Sequence, residues 1–207
     1  SLFRRIVVGG AAPPKHLPPN AVVSYGMTET GSAVTYDGLP LGDAEIRIVD
    51  GEIHVRGSVL LRAYRGGGFP LEGHDPKDAD GWFATDDAGA LDDGGRLVVQ
   101  GRRGDLIVTG GEKVWPVEVE RVLGHHPSVA EVAVIGRADP EWGHRVTAIV
   151  VPVDRAVPPS LDELRAHVKA ELPGYAAPRE LELHEALPRT LLGKVERRAL
   201  LARELGR

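Results

Sequence analysis

The chain has 207 residues, a formal net charge of −5 and an apolar fraction of 42%, which allows one large or two modest globular domains and shows no disorder signature. With no cysteine there is neither a disulfide framework nor a protein thiolate, so any thiol in a reaction must come from a substrate. The acidic balance offers no field for nucleic acid, and no run of about 18 apolar residues marks a signal or membrane segment, so small-molecule partners and a cytoplasmic location are expected.

From the N-terminus, Ile6-Val7-Val8 predicts a short strand running into Gly9-Gly10-Ala11. Alternating apolar residues in Ala44-Glu45-Ile46-Arg47-Ile48-Val49 and Glu52-Ile53-His54-Val55-Arg56, set between Gly and Asp turns, predict further strands. The run Gly66-Gly67-Gly68-Phe69-Pro70 reads as a loop rather than a phosphate cradle, because no strand enters it and no helix leaves it. Residues 91–99 read as a hairpin in which Asp93-Gly94 supplies the positive φ angles of a tight turn.

After Gly101 the pattern changes to alternating strands and helices. Leu106-Ile107-Val108 predicts a strand, and Pro116 followed by Val117, Val119, Val122 and Leu123 predicts a helix with proline in its first turn. Two more strands are expected at residues 130–135 and 146–151. Ser160-Leu161-Asp162-Glu163 has the pattern of a capping box, and the helix it opens puts Leu161, Leu164, Val168 and Leu172 on one face. A strand at Glu180–Leu183, a turn bearing Lys194 and a helix from Val195 to Leu205 close the chain. Eight histidines are scattered without the two-on-one-face spacing of a zinc site, and His125-His126 as helix neighbours would point to different sides.

Four stretches carry the chemistry: Tyr25-Gly26-Met27-Thr28-Glu29-Thr30-Gly31-Ser32, Gly81-Trp82-Phe83-Ala84-Thr85-Asp86-Asp87, Gly101-Arg102-Arg103-Gly104-Asp105, and Leu187-Pro188-Arg189-Thr190-Leu191-Leu192-Gly193-Lys194. Their order and spacing resemble the adenylate-forming superfamily of acyl-CoA synthetases, adenylation domains and luciferases. The resemblance implies an α/β and α+β architecture: the strand-rich end of a large AMP-binding N-terminal domain over residues 1–101, then a small mobile α+β lid domain over 102–207. The implied substrates are a carboxylic acid, ATP and coenzyme A, with Mg²⁺ as cofactor. The superfamily's Ser/Thr/Gly-rich phosphate loop ending in Pro-Lys-Gly is missing, so the chain reads as the C-terminal part of a longer ligase whose N-terminal segment would supply the acyl pocket.

Residue by residue, the resemblance makes Tyr25 the adenine platform with Gly26 beside it, Thr28 a donor to the α-phosphate region and Glu29 the Mg²⁺ ligand, an oxygen donor of the type this cation prefers. Gly10 and Ala11 match the edge against which adenine lies. Asp87 stands at the ribose-binding aspartate and Arg102 at an arginine that also contacts ribose. The superfamily usually has Thr-Gly-Asp where this chain has Thr85-Asp86-Asp87, so Asp86 contests the role and the local backbone geometry is open. Gly104 occupies the hinge position, without the usual polar side chain but with freedom to change φ and ψ. Gly110 and Gly111 match a glycine pair that lines the thiol tunnel in one conformation; ordinary hairpin glycines are the alternative. Lys194 matches the lysine that bridges substrate carboxylate and α-phosphate, forming the catalytic set with Thr28 and Glu29, while Arg197 and Arg198 read as a solvated helix face. Residues 109–112, 177–183 and 187–189 look most like o-succinylbenzoate–CoA ligases of menaquinone synthesis; another small acid–CoA ligase, such as a malonyl-CoA synthetase, or a non-catalytic nucleotide-binding module stays open.

Overall fold

The computed structural model describes residues 3–10, 16–65, 73–191 and 193–202. Ala11, the glycine run at 66–70, Leu192 and the end of the last helix, residues 203–205, lie outside the described residues. The chain divides into two compact units, Ser1–Arg103 and Gly104–Arg207.

The first unit is strand-rich. β1 (Ile6–Val8) pairs in parallel with β2 (Ala21–Gly26), which pairs antiparallel with β3 (Ala33–Tyr36), and β4 (Leu39–Pro40) completes that sheet. A second, antiparallel sheet contains β5 (Glu45–Val49), β6 (Glu52–Arg56), β9 (Phe83–Leu91) and β10 (Leu97–Arg102), in the order β10-β9-β6-β5. Between them in sequence, β7 (Tyr64–Arg65) and β8 (Gly73–His74) form a small hairpin. Strand alternation turns Ile53 and Val55 inward against Val34, Ala44 and Leu97, so the core of the unit is apolar and almost wholly β-branched or leucine. The β9–β10 hairpin differs from expectation in one detail. Its positive φ falls on Gly95, at 72°, and not on Asp93-Gly94, because the Asp92 carboxylate captures the N–H groups of Gly94 and Arg96 and sets a longer loop.

The second unit is α+β. β11 (Ile107–Thr109) and β12 (Glu112–Val114) form a hairpin, α1 (Pro116–Leu123) follows, and β13 (Val129–Asp139) and β14 (Gly143–Pro152) pair along their whole length. After α2 (Leu161–Lys169), β15 (Glu180–Leu183) runs parallel to β14, and α3 (Arg197–Ala202) is the last described element. Period-2 alternation on β13 and β14 divides the core. Val134, Val146, Ala148 and Val150 meet α1 and α2, whereas Ala133, Ile135 and Ile149 meet Leu187 and Leu200 of the C-terminal segment. Ser160 caps α2 reciprocally with Glu163, and Leu164 and Val168 are fully buried beneath it. Burying each such side chain contributes roughly 1.5–3 kcal/mol.

Three local expectations change. α3 begins at Arg197 rather than Val195, because the backbone of Val195 bridges antiparallel to Arg189 and closes the lysine turn. Arg197 is not a solvated group: its guanidinium grips both oxygens of Glu120 on α1 at 2.6 and 2.7 Å. His125 and His126 lie beyond the end of α1, and the His126 ring packs edge-on against His167 at 5.1 Å. Among the described residues no helix is long and apolar enough to cross a membrane.

Candidate functional site

In the first unit, alternation along β9 turns Phe83, Thr85 and Asp87 inward and leaves Ala84 and Asp86 exposed. A carboxylate turned inward requires partners, because desolvating it alone is costly. Asp87 is only 8% exposed. Its Oδ2 accepts a hydrogen bond from the Tyr25 hydroxyl at 2.8 Å, and its Oδ1 pairs with Arg102 Nε at 2.8 Å. Two residues from two other motifs thus converge on the Asp87 carboxylate.

Two strand irregularities make this convergence. Between His54 and Glu52 on β6, β9 runs from Ala84 to Ala88, so residues 85–87 bulge. The Thr85 hydroxyl donates to Ile53 O at 2.7 Å and accepts from the Asp87 N–H at 3.1 Å, fixing the bulge from within. On β10 the register shifts between Val99 and Gly101, after which Arg102 stands directly opposite Asp87. Asp86 answers the question left by the missing glycine: it takes φ 64°, so the backbone keeps the left-handed path that glycine follows without strain, at a cost in an L-residue.

Tyr25, next to last in β2, is half-buried. Burial first, and then the neighbouring Asp87 carboxylate, push its phenol well above the ordinary tyrosine range, although Thr85 and Arg102 pull the other way. The group is therefore a permanent donor to Asp87. The next residues form a single 3-10 turn, Thr28–Thr30, organised by the buried Thr30 hydroxyl, which accepts from Met27 N–H at 3.1 Å and lies 2.6 Å from Ser32 O. Gly26 has no room for a side chain, since a Cβ there would lie 2.3 Å from Ser32 O. Thr28 is exposed at the start of the turn. Glu29 takes a hydrogen bond from Tyr64 at 2.9 Å, and partial burial together with that bond raises the Tyr64 pKa. Gly10, at φ 82°, follows the end of β1, where Gly9 packs against Ser24.

Among the described residues no group of three or more His, Asp or Glu side chains forms a metal cage. That does not disqualify Glu29, because Mg²⁺ at nucleotide sites is commonly held by one or two carboxylates with phosphates and water. Glu29 Oε1 is taken by Tyr64, and Oε2 has no hydrogen-bond partner among the described residues.

In the second unit, Gly110 and Gly111 form the two-residue turn between β11 and β12, both with positive φ (58° and 85°), the geometry of a type I′ hairpin. They are hairpin glycines, but Gly110 also lies against an aromatic ring: a Cβ would come 2.7 Å from Trp142 Cε3. The indole in turn carries the Arg179 guanidinium 4.0 Å from its centroid. Gly104 sits in the 3-10 turn Arg103–Asp105, where an added Cβ would meet nothing within 4 Å. Lys194 is exposed on a tight loop closed by Thr190 N–H to Lys194 O and Gly193 N–H to Thr190 O, at 2.8 and 2.9 Å. Arg189 braces that loop, donating to Gly193 O at 2.7 Å and pairing with Glu131 at 2.5 Å. Sequence reasoning missed Glu52, Tyr64, Trp142 and Arg189, whose contacts cross from one element to another; only Arg189 lay inside a recognised motif.

This fold is that of the AMP-binding enzymes: residues 118–194 match the family described as AMP-binding enzyme C-terminal domain. The chain belongs to the adenylate-forming superfamily and carries the C-terminal part of its architecture. It is 43% identical to a probable 2-succinylbenzoate–CoA ligase of Mycobacterium tuberculosis (strain CDC 1551 / Oshkosh), over 97% of this chain and 54% of that protein. A 2-succinylbenzoate–CoA ligase of Listeria monocytogenes serovar 1/2a is 37% identical over 88% of this chain and 40% of its own length. Among solved structures, o-succinylbenzoate CoA synthetase from Bacillus subtilis, in complex with the acyl-adenylate intermediate, superimposes with a TM-score of 0.80 at 32% identity, covering 96% of this chain and 47% of that one. The chain spans roughly half the length of these relatives.

Proposed function

We propose that the chain serves an AMP-forming acid–CoA ligase, with o-succinylbenzoate as the acid and menaquinone synthesis as the setting. The observation that carries this reading is the buried Asp87 carboxylate held between Tyr25 and Arg102; the relatives named for 2-succinylbenzoate support the choice of acid. In the first half-reaction a carboxylate oxygen of the acid attacks the α-phosphorus of ATP, the bond to pyrophosphate breaks, and an acyl-adenylate forms. In the second, the CoA sulfur, having lost its proton, attacks the acyl carbon and AMP leaves.

The residues divide this work. Asp87 accepts from the vicinal ribose hydroxyls, its carboxylate oriented by Tyr25 and Arg102. Tyr25 presents its ring to adenine, with Gly10 and Ala11 along the edge and Gly26 giving clearance, and Thr28 donates to the α-phosphate. Glu29 fits one ligand position of Mg²⁺, which would offset charge on the phosphates when bound. Lys194 brings an ammonium to the acid carboxylate and α-phosphate, where charge redistributes in the first transition state. Gly104 is the hinge about which residues 104–207 reorient between half-reactions, and Gly110 and Gly111 line the path of the thiol. A cytoplasmic location completes the reading.

The test is pyrophosphate release by the full-length protein with ATP and a panel of carboxylic acids, followed by mass detection of the CoA thioester. Release that depends on o-succinylbenzoate, with its thioester as product, is expected. Turnover of a different acid replaces the substrate assignment, and nucleotide binding without release for any acid replaces the ligase reading with a binding module.

A further inference from the structure

The proposed ribose pair, Asp87 and Arg102, is flanked in the chain by Asp86 and Arg103, and a single side chain touches both flanks. Glu52 opens β6 just after the tight turn at Asp50 and Gly51, whose φ angles are 49° and 77°. It stands opposite Ala88, at the foot of the β9 bulge. Its side chain is only 13% exposed. One carboxylate oxygen accepts from the Asp86 N–H at 2.9 Å, and the other pairs with Arg103 Nη1.

We propose that Glu52 is a positioning residue for nucleotide binding, acting on Asp87 through the Asp86 amide. The inference rests on the ligase reading above and deepens it. Its physical basis is the left-handed backbone at Asp86. An L-residue at φ 64° is strained and relaxes unless its surroundings hold it, and relaxation there rotates the next residue, Asp87, away from Tyr25 and Arg102. Glycine at position 86 needs no such restraint. Here the strained residue has a charged acceptor on its amide, while Thr85 fixes the amide of Asp87 on the other side. Arg103 offsets the charge that Glu52 brings near Asp86, and its contact keeps the last residue of the first unit fastened to β6, so that any reorientation begins at Gly104.

The experiment is ATP half-saturation and kcat for adenylate formation by the full-length protein, with thioester formation from a supplied acyl-adenylate measured alongside. Glu52→Ala raises the ATP half-saturation about tenfold, as loss of a charge-assisted hydrogen bond does, and leaves the half-saturation for CoA unchanged. The same change combined with Asp86→Gly, compared with Asp86→Gly alone, costs less than about threefold, because glycine holds the turn unaided. Glu52→Gln keeps the acceptor for the Asp86 amide and stays within about threefold of the parent, and it carries the test if Glu52→Ala does not fold. An equal penalty in both backgrounds, no effect of Glu52→Ala, or a tenfold penalty for Glu52→Gln overturns the proposal. Asp87→Ala is measured in parallel. If nucleotide binding ignores Asp87, the ribose assignment itself is wrong; if it needs Asp87 but ignores Glu52, only this inference falls.

Discussion

In the proposed ligase Asp87 and Lys194 carry the two charges assigned to adenylation, and their surroundings are opposites. Asp87 is buried, is bonded by Tyr25 and Arg102, and sits on a bulge braced by Thr85 and Glu52. Lys194 is exposed on a loop, and among the described residues the restraints there act on the backbone through Arg189 and the Val195 bridge. A group that binds the same ligand atoms throughout a reaction gains from rigidity, since little conformational freedom remains to be lost on binding. A group needed in one transition state and not in the next gains from a fixed base and a free tip. The two regions therefore predict different kinetic signatures when they are cut.

The largest effect belongs to Lys194. Replacing it with alanine removes an ammonium from the transition state of adenylate formation, which lowers that rate on the order of 10²–10³-fold, the scale of losing one electrostatic stabiliser. Thioester formation from a supplied acyl-adenylate stays near the parent rate, because the proposed role of the lysine is confined to the first step. Single-turnover assays of each half-reaction separate the two. Equal losses in both would mean that Lys194 acts through the fold rather than through the first transition state.

A smaller effect is expected at Asp87, and it appears in affinity. On the proposed ribose role, Asp87→Ala loses a charge-assisted hydrogen bond, costing roughly 1.5–3 kcal/mol, or about ten- to a hundredfold in nucleotide affinity. Asp86→Ala costs less, since its carboxylate is exposed on the outer face of β9 while Asp87 faces inward. Titration calorimetry with AMP compares them directly. A larger loss for Asp86→Ala reverses the assignment, and the contrast with Lys194 sharpens if neither variant changes the rate of the second half-reaction.

Much of this was legible in the sequence. The strands β1, β5 and β6 of the first unit, the helix opened by Pro116, the capping box at Ser160 and the lysine on a glycine turn all follow from local pattern, whereas β2 and most of β9, which carry Tyr25 and Asp87, are not predicted. The faces of Asp86 and Asp87, open in the sequence, are set by β9 and its bulge. What local pattern does not encode is pairing register. Glu52 reaches Asp86 only because β6 and β9 pair with a bulge, and Trp142 meets Gly110 only because β14 begins beside the end of β11. Arg197 misleads for the same reason: an arginine in a basic run looks solvated until α1 brings Glu120 against it.

The smallest predicted effect tests how firmly the Asp87 site is built. Tyr25→Phe deletes the donor to Asp87 Oδ2 and leaves the Arg102 pair in place, so nucleotide affinity falls only a few-fold and the fold loses about 1–2 kcal/mol. Its pH dependence is diagnostic. The Tyr25 pKa is raised in the folded state, chiefly by burial, so the folded chain holds this proton where the unfolded chain has released it. The associated stability is complete below the ordinary tyrosine pKa of about 10 and is lost as pH rises above it toward the higher folded value. One proton changes stability by at most about 1.4 kcal/mol per pH unit. Urea unfolding of both proteins from pH 9 to 11 should therefore show the advantage of the parent over Tyr25→Phe shrinking by about 1 kcal/mol, with other titrating groups cancelling between the two. A constant difference across that window would mean that the phenol ionises equally in both states, and that Tyr25 does not hold Asp87 as a buried neutral donor.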